Sequence, residues 1–555
     1  MWRQGLRKVD GQETGWSPGA RRGDPKLTSM EGSMEGPRCS ICSKEGVAMG
    51  RSKRSFACLV LAGICLFLAG SVTQSQAYVA SFEDYVKSHF NAHGYLAQRF
   101  SINTADPEEV PGDNSGQLSM MRSTLYTDVD YTPFSWLRLA TIFEADLEYP
   151  TSYLRELDRM TSANLWDEYS RWDFREFYGD FQFGNRLMIR LGRQQVIWGD
   201  TDFFRGIDLV QGFDYRWRSF LEAENEYVRI PLIMANIMIQ VPELNGNLQL
   251  LVRPGVDKDE WIGNRYDLYG GRWSSKPSKG VNFFDVMTYD LDHKEGDQND
   301  PSYGVRWAGE LFGIEYTLNY LHTFNEDPIV NSAFVPWKEA PKGAIGDFIY
   351  PMIDLVGFTA NVDIDALDIV ARTECSYTWD KPFNVGRDFR GGALALPGFG
   401  GIATKDVFRW MVNFDWNANF APWLLGADRP GFFSAQVFDT WVLDYDKDKD
   451  DLVALAGYGA KLTTHTMYIT VIFGWNYLLD RINPQIAWGI DPEDASQFII
   501  PSLSFVYGDH WRLKLEYDKF FNNSGKSPGE IENKTRVFKL FEDNDQFYVR
   551  LMYQF

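Results

Sequence analysis

Charged and aromatic residues are concentrated between positions 193 and 218, and their types could set the electrostatics of a narrow passage. The set comprises Arg193, Trp198, Asp200, Asp202, Arg205, Arg216 and Arg218. Arginines that face aspartates across a constriction create a transverse field, which selects solutes by charge. On a surface loop the same residues would form ordinary ion pairs, each worth about 0–1 kcal/mol. The sequence leaves both interpretations open, and the first predicts an inserted loop near 200–227 that folds inward.

The elements that would carry such a loop are β-strands with two different faces. Residues 511–518 are the clearest case, because Trp511, Leu513, Leu515 and Tyr517 alternate with Arg512, Lys514, Glu516 and Asp518. A period of two is the signature of a strand, and the pattern recurs through most of the chain after residue 90. No long amphipathic helix is predicted that could cover the apolar faces. Lipid would cover them in a closed barrel, which also leaves no strand edge unpaired.

We therefore predict an all-β fold, an antiparallel transmembrane β-barrel. Bacterial barrels have even strand numbers and spans of roughly 9–11 residues, which gives about 16 strands here, with about 14 to 18 as the range. The abundant aromatics, 19 Trp, 27 Tyr and 40 Phe, suit the girdles of such a barrel. The mean hydropathy of -0.32 fits a chain in which alternate residues face lipid.

The alternation assigns polar residues of the strands to the lumen. These candidates are Arg138, Glu144, Arg190, Arg306, Glu315, Arg372, Glu374, Arg409, Asp415, Arg512, Glu516 and Arg550. Their mixed charge favours bracing of the barrel wall first and solute selection second. The same register places Cys375 against lipid, as a small apolar residue. Arg193 shares the parity of Leu191, which would place it against lipid and not in the constriction. We expect a bulge at Gly192 to reset the alternation.

Turn signals and the C-terminus complete the predicted barrel. Gly184-Asn185, Asn245-Gly246 and Gly508-Asp509 lie between strand-like runs, as hairpin turns do, and are predicted periplasmic turns. The predicted extracellular loops are residues 151–172, 255–300, 323–350, 380–405 and 522–545. The last strand alternates to its end, with Phe547, Val549, Leu551, Tyr553 and Phe555 on one face. An aromatic final residue resembles the signal by which outer-membrane barrels are recognised for insertion.

The N-terminal region reads as a targeting segment. Basic residues at 51–54, an apolar run at 56–70 and Ser75-Gln76-Ala77 form a cleavable signal peptide pattern. We predict a signal peptide at 49–77, a mis-assigned extension at 1–48 and a barrel at 78–555. The first 77 residues hold 11 Lys/Arg and 6 Asp/Glu, so the net charge of -21 becomes -26 without them. Such an acidic chain argues against nucleic-acid binding.

Motifs for enzymes, metals and cofactors are absent from the sequence. There is no G-x-S-x-G, H-E-x-x-H, P-loop or haem-attachment motif. Asp446-x-Asp448-x-Asp450 departs from a calcium loop, since Asp451 stands where glycine is needed, and a solvated turn is favoured. Cys39-x-x-Cys42 has no second ligand pair nearby. We predict no enzyme activity, metal or cofactor; a lipid hydrolase that pairs His465 with a serine of a neighbouring strand is the third alternative for function.

Five segments in order resemble one family. They are residues 191–199 (LGRQQVIWG), 229–232 (RIPL), 303–306 (YGVR), 443–446 (LDYD) and 543–551 (DNDQFYVRL). Together they look like the domain-of-unknown-function family thirteen hundred and two, a group of Gram-negative outer-membrane proteins. The resemblance covers about residues 90 to 555 and implies a barrel without a settled activity. Gln194-Gln195 departs from its usual pattern, in which small or β-branched residues are common.

The resemblance also implies an association with exporters and hydrophobic-compound metabolism. We therefore expect an outer-membrane channel or transport component for small organic or hydrophobic solutes, acting by diffusion through a lumen narrowed by residues 200–227. The alternative is a closed structural or accessory barrel of an envelope export system. Expected partners are outer-membrane lipid, lipopolysaccharide, the barrel-assembly machinery and an inner-membrane exporter, with no nucleic acid.

Overall fold

The structure is a computed structural model, and its central feature is one closed antiparallel β-barrel of 18 strands. It describes residues 84–555 apart from 223–224, 258–260, 276–277, 290–296, 298, 334, 387–400, 447–448, 455–459 and 522–537. The predicted signal peptide, the extension at 1–48 and Cys39-x-x-Cys42 lie outside the described residues. The barrel prediction is confirmed, and the strand number lies at the upper end of the predicted range.

The barrel strands are numbered in chain order, and each pairs with the next around the barrel. They are β1 Phe90–Asn103, β2 Leu118–Phe134, β3 Leu137–Glu148, β4 Arg171–Phe183, β5 Leu187–Gln194, β6 Leu232–Val241, β7 Gly246–Arg253, β8 Ser302–Leu311, β9 Ile314–Phe324, β10 Met352–Ile364, β11 Ile369–Val385, β12 Gly401–Ala418, β13 Gly431–Val442, β14 His465–Gly474, β15 Ile482–Ile490, β16 Gln497–Tyr507, β17 Trp511–Phe521 and β18 Gln546–Gln554.

Shorter elements lie in the connections. Met287–Tyr289, Ile329–Ser332 and Gly346–Ile349 form a separate three-stranded sheet, and Leu452–Ala454 pairs with Ala460–Lys461. The helices are α1 Ser152–Thr161, α2 Leu165–Tyr169, α3 Asn225–Val228 and α4 Ala421–Leu425, and residues 84–89 are also helical. The 3-10 turns are Ser219–Leu221, Pro242–Leu244, Phe283–Asp285, Asp365–Leu367 and Lys539–Phe541. Within the described ranges, no helix has the length and apolarity needed to span a membrane.

The barrel closes between β1 and β18. Tyr95 pairs with Gln554 and Asn103 with Gln546, in uninterrupted antiparallel register. Gly94 and Phe555 exchange two backbone hydrogen bonds of 3.0 Å. A Cβ on Gly94 would lie 2.3 Å from the Tyr126 carbonyl oxygen and 3.0 Å from the Phe555 ring, so only glycine permits this approach. The last residues thus form the closing strand, as the sequence predicts.

The two ends of the barrel differ in the length of their connections. At the short-turn end, three predicted hairpin turns are confirmed, with positive φ angles at Gly184 (61°), Asn245 (50°) and Gly508 (58°). These conformations favour Gly and Asn. The described parts of the predicted long loops lie at the opposite, long-loop end, whereas residues 387–400 and 522–537 lie outside the described residues. β11 and β12 extend into the segment 380–405, and α1 and α2 occupy much of 151–172.

The strand faces alternate between lipid and lumen. In β9, Leu318 is 53% exposed on the outside of the barrel, whereas its neighbours Thr317 and Asn319 are 7% and 5% exposed inside. In β11, Glu374 is fully buried in the lumen and Cys375 lies on the outer face. The alternation in the sequence therefore predicts correctly, on both strands, which side chains face the lumen.

The predicted bulge at Gly192 is wrong. β5 pairs with β4 and β6 without any shift of register, and the shift lies between β3 and β4, where Ile142 pairs with Glu176 and Phe143 with Phe174. Arg175 is the extra residue, and it reverses the parity of β4. Glycine is needed at position 192 for the close approach of β4, because a Cβ there would lie 2.2 Å from the Phe177 carbonyl oxygen.

Candidate functional site

Residues 195–231, between β5 and β6, are called the inward segment, and all of them except 223–224 are described and run inside the barrel. The backbone N–H of Asp200 donates to Glu374 on β11 at 2.7 Å, and that of Asp202 donates to Gln436 on β13 at 3.3 Å. Farther along, Arg218 forms an ion pair with Glu516 on β17. The segment thus contacts walls that are far apart around the barrel, and it covers the inserted loop that the sequence places near 200–227.

The Glu374 carboxylate holds one part of the inward segment. Its Oε1 accepts the N–H of Ile207 at 2.5 Å while Oε2 accepts that of Asp200. The Ser376 hydroxyl donates to the Gly206 carbonyl at 3.0 Å. A Cβ on Gly206 would lie 2.1 Å from Glu374 Oε1. Residues 200–207 are therefore fastened to β11 by one buried side chain that fits against a glycine.

Arg218 fastens a later part of the inward segment to the barrel wall. Its guanidinium pairs with Glu516 and lies 3.3 Å from Asp518, and it stacks 4.0 Å above the Tyr548 ring. The side chain is 1% exposed. A buried charge of this kind is tolerated because carboxylates surround it, and removal of one partner leaves the other uncompensated.

The remaining predicted constriction residues brace the inward segment. Trp198 is 1% exposed and donates to Gln249 on β7 at 3.0 Å. Arg205 donates to the Asp208 carbonyl and to Asn264 Oδ1, both at 2.7 Å. Their predicted role in selection is untested, and the contacts observed are structural.

Arg216 is bonded to a residue of the same segment. Its Nε and Nη2 lie 2.9 and 2.8 Å from the two carboxylate oxygens of Asp214, in a bidentate pair. Burial alone would raise the pKa of Asp214, but the adjacent guanidinium outweighs burial and holds that pKa below its usual range. Both charges are therefore retained at neutral pH.

Arg193 does not join the constriction. It keeps the parity of Leu191, which is 46% exposed on the outer face, and lies at the top of β5. Its guanidinium donates to Asp173 at 3.1 Å and to the Pro231 carbonyl at 3.2 Å. The prediction that placed Arg193 in the lumen is wrong, because no bulge reverses β5.

Five of the twelve strand residues predicted to face the lumen form ion pairs between neighbouring strands. Arg138 and Arg190 both donate to Asp180, at 3.1 and 2.6 Å, and Arg372 pairs with Asp415. On β3, Glu144 accepts from Arg171 at 2.7 Å and from Arg175 at 3.1 Å. These contacts are the bracing arrangement expected of a barrel interior, and their role in selection remains a prediction.

Three of the arginines predicted to face the lumen, Arg409, Arg512 and Arg550, have different surroundings. Arg409 and Lys381 share the carboxylate of Glu326, a loop residue at the long-loop end. Arg512 lies at the opposite end and donates to the carbonyl of Gly508 at 3.3 Å. Arg550 stands in register between Arg99 and Lys514. The lumen wall therefore has a basic row near its closure.

An aromatic cavity of ≈ 230 Å³ lies at the long-loop side of the inward segment. Its aromatic lining is Phe203, Phe204, Tyr215, Phe220, Tyr266, Trp273, Phe438, Tyr468 and Phe541. The Phe204 and Tyr468 rings stack at 4.2 Å, so the segment and the wall each supply part of the cavity. Arg409 and Glu326 form a charged border.

A polar cavity of ≈ 420 Å³ lies at the short-turn side of the inward segment. It is lined by Asp200 from the segment, by Arg306 and Glu315 from β8 and β9, and by the turn residue Asn245. Arg306 also donates to the Ile197 carbonyl at 3.3 Å. The segment 200–207 thus lies between an aromatic and a polar space.

Sequence reasoning missed the aromatic residues of the site. Phe203-Phe204 lies in a region without sustained alternation, yet two adjacent phenylalanines within a charged loop indicate burial, because phenylalanine is among the residues most often buried. Phe220 and Trp273 are far apart in sequence and meet inside the barrel. No pattern of period two can reveal such contacts.

Two further predictions concern residues away from the lumen. His465 lies beside Asp439, with Nδ1 2.9 Å from the carboxylate, and stacks on Trp441. In the predicted solvated turn, Asp446 lies 2.6 Å from Lys449. Among the described residues, no group of three or more His, Cys, Asp or Glu side chains could hold a metal ion. The lipid-hydrolase alternative remains untested.

These features define a transmembrane β-barrel whose lumen is crossed by one long inward segment. The chain belongs to a family described as a protein of unknown function, DUF1302, whose model matches residues 144–555. The suspected family is therefore confirmed. No curated protein matches the chain significantly.

Solved porins share the barrel architecture at low similarity. OccAB3 of Acinetobacter baumannii is 7% identical with a TM-score of 0.43, and the match covers 84% of this chain and 99% of that one. OccK2 (OpdF) of Pseudomonas aeruginosa, solved with glucuronate, is 6% identical with a TM-score of 0.41, covering 84% and 97%. OmpF of Salmonella typhi, solved with daunomycin, is 11% identical with a TM-score of 0.36, covering 84% and 97%. Likenesses this distant carry no argument about the solute.

Proposed function

We propose that the protein is an outer-membrane channel for small organic solutes, and that the inward segment controls their passage. The observation that carries this proposal is the aromatic cavity, which the segment builds together with the barrel wall through Phe204 and Tyr468. Small-molecule sites are concave and largely apolar, with a few polar groups that orient the ligand. The aromatic cavity with its Arg409 and Glu326 border has this composition.

Passage would require movement of residues 200–207. They separate the aromatic cavity from the polar cavity, and their fastening consists of hydrogen bonds to Glu374 and Ser376. Neutral hydrogen bonds contribute about 0.5–1.5 kcal/mol each, and bonds to a charged group about 1.5–3. These few hydrogen bonds can break and re-form while the protein stays folded, whereas the many hydrogen bonds between barrel strands stay in place. We therefore propose solute-dependent opening in place of simple diffusion through a lumen narrowed by residues 200–227.

A closed accessory barrel of an export system is the second candidate. The observation in its favour is the packed interior, in which Trp198 and Ile207 of the segment join Phe324 and Tyr350 in one buried cluster. A structural plug would be packed in the same way. Under this alternative the aromatic cavity would bind nothing and the lumen would remain closed.

The proposed setting is the outer membrane of a Gram-negative bacterium. Lipid and lipopolysaccharide would cover the outer face, the barrel-assembly machinery would recognise β18 with its terminal Phe555, and an inner-membrane exporter would be the partner under the accessory alternative. We propose no catalytic role. The acidic chain, with a net charge of -21, supports the absence of nucleic acid among the partners.

Uptake by proteoliposomes tests the channel against the accessory barrel. The folded protein is reconstituted, and entry of phenyl glucoside, a membrane-impermeant aromatic solute, is compared with entry of sucrose. We expect faster entry of phenyl glucoside, because the aromatic cavity binds a ring. Empty liposomes are the control. No uptake of either solute by protein that migrates as a folded barrel would favour the accessory role.

A further inference from the structure

A third cavity, of ≈ 300 Å³, lies beside the tops of β4 and β5 and is unusually basic. It is lined by six arginines and four acidic residues in a chain whose net charge is -21. The arginines are Arg171, Arg175, Arg193, Arg216, Arg229 and Arg265. It shares no lining residue with the aromatic or the polar cavity, so it is a separate site.

Five of these arginines are already neutralised by hydrogen-bonded carboxylates. The closest contacts are Arg171–Glu144 at 2.7 Å, Arg175–Glu144 at 3.1 Å, Arg193–Asp173 at 3.1 Å, Arg216–Asp214 at 2.8 Å and Arg229–Asp208 at 2.5 Å. Such pairs satisfy the buried guanidinium groups and fix them in place. They form the walls of the cavity and leave little positive charge to attract a ligand.

Arg265 is the exception. Among the described residues its guanidinium makes no hydrogen bond, and its Nε is buried without a partner. The facing carboxylate is that of Glu168, which lies 3.6 Å from Arg265 Nη2 and 3.8 Å from Arg216 Nη1. Arg265 also stacks above the Trp261 ring at 5.4 Å. A buried donor without an acceptor is costly.

The electrostatics of Arg265 agree with this geometry. Burial first, and then the neighbouring charge of Arg216, lower the pKa of Arg265 to about 10. Its protonated form is therefore less stable than in water, although it still dominates at neutral pH. An anion in the cavity would supply the missing acceptor, and it would add negative charge to that of Glu168, which Arg265 shares with Arg216.

We propose that this cavity binds an oxyanion group, a carboxylate or a phosphate, with Arg265 as the principal ligand and Trp261 as an apolar wall. The planar guanidinium fork matches the geometry of both oxyanions. Two sources can supply the group. One is an anionic solute that enters from the long-loop end. The other is a lipid headgroup, because β4 extends beyond the end of β5 at Gln194 and the barrel wall is low there.

Calorimetric titration of the refolded barrel tests the site. Inorganic phosphate, acetate and purified lipopolysaccharide are titrated separately at low ionic strength, since salt screens such contacts. We expect saturable binding that weakens at least about tenfold in Arg265→Gln, corresponding to about 1.4 kcal/mol. Arg186→Gln, at an exposed turn of the short-turn end, is the matched control and keeps the wild-type affinity.

A second variant tests the site if Arg265→Gln does not fold. Glu168→Gln removes the competing carboxylate, and we expect it to bind the same probes more tightly than wild type. Binding of phosphate or acetate assigns the site to solutes, whereas binding of lipopolysaccharide alone assigns it to a headgroup. If no probe binds saturably, or if the variants that fold keep wild-type affinity, the proposal is overturned. Neither result depends on uptake through the lumen.

Discussion

The carboxylate of Glu374 occupies the space that a side chain at position 206 would need, and residue 206 is a glycine. A Cβ on Gly206 would lie 2.1 Å from Glu374 Oε1, and that oxygen accepts the N–H of the next residue, Ile207, at 2.5 Å. The other oxygen accepts the N–H of Asp200 at 2.7 Å. One strand residue thus fastens an eight-residue stretch of the inward segment, and under the proposed function the strength of this fastening determines how readily the lumen opens.

Replacement of Glu374 by alanine should loosen residues 200–207 while the barrel stays folded. Two backbone N–H groups would lose their acceptor, at a cost of about 1–3 kcal/mol each when they remain buried. We expect faster amide hydrogen exchange at Asp200 and Ile207, measured by mass spectrometry on peptides. Glu243→Ala, in an exposed turn, is the control and should leave this exchange unchanged. Equal exchange in wild type and Glu374→Ala would show that the carboxylate does not hold the segment.

Replacement of Arg218 by alanine should destabilise the whole protein. The change would leave Glu516 and Asp518 buried without their cation, and breaking a buried pair costs about 3–5 kcal/mol. We expect a lower temperature for the shift in gel migration that accompanies barrel unfolding. Arg186→Ala removes an exposed pair, worth about 0–1 kcal/mol. The idea fails if both variants unfold at the same temperature.

Replacement of Phe204 by alanine should reduce selection for aromatic solutes. The ring stacks on Tyr468 at 4.2 Å and forms part of the aromatic cavity, and an aromatic pair adds about 0.5–1.5 kcal/mol beyond its buried area. We expect the preference for phenyl glucoside over sucrose to fall roughly twofold to twelvefold, as this energy implies. Trp423→Ala, an exposed residue of α4, serves as the control. An unchanged preference would show that the aromatic cavity does not select the solutes that are transported.

Acid should weaken the packing of the loops at the long-loop end. Burial alone would raise the pKa of Glu326, but the charges of Arg409 and Lys381 outweigh it and hold that pKa below its ordinary value of 4.5. The folded state therefore binds this proton less readily than the unfolded state does. The stabilisation is present in full above the unfolded value and is lost as pH falls through the lower folded pKa.

The measurement is protease resistance of the loops between about pH 6 and about pH 3, with a protease active throughout. We expect wild type to lose resistance at the acid end, and Glu326→Gln to change less across this range although it starts from lower stability. Asp509→Asn, at the turn beside Gly508, should follow wild type. A variant at Glu326 with the full wild-type pH dependence would contradict the assignment.

The alternation of residues 511–518 and 547–555 was enough to predict the barrel and its closing strand, because lipid and lumen impose different chemistry on alternate side chains. The same rule placed Glu374 in the lumen. It also gave Arg193 its observed place on the outer face; the error was the expected bulge at Gly192, since the bulge lies at Arg175 of the partner strand. A bulge depends on pairing between strands and leaves little trace in one strand alone.

The interior contacts could not be predicted from local patterns. Glu374 lies 174 residues from Asp200, and their contact depends on the path of the inward segment through the lumen. Arg265 lies in a loop without alternation, so no periodicity draws attention to it. Its importance follows from what surrounds it, namely a paired Arg216 and a shared Glu168.

Single-channel conductance tests the central claim that the inward segment controls a channel. The predicted barrel region, residues 78–555, is refolded and inserted into planar bilayers beside its Glu374→Ala variant. We predict small or brief openings for wild type and larger, longer openings for the variant, since residues 200–207 are then free to leave β11. Silence of both proteins, when gel migration shows that both are folded, would contradict the claim and favour a closed accessory barrel.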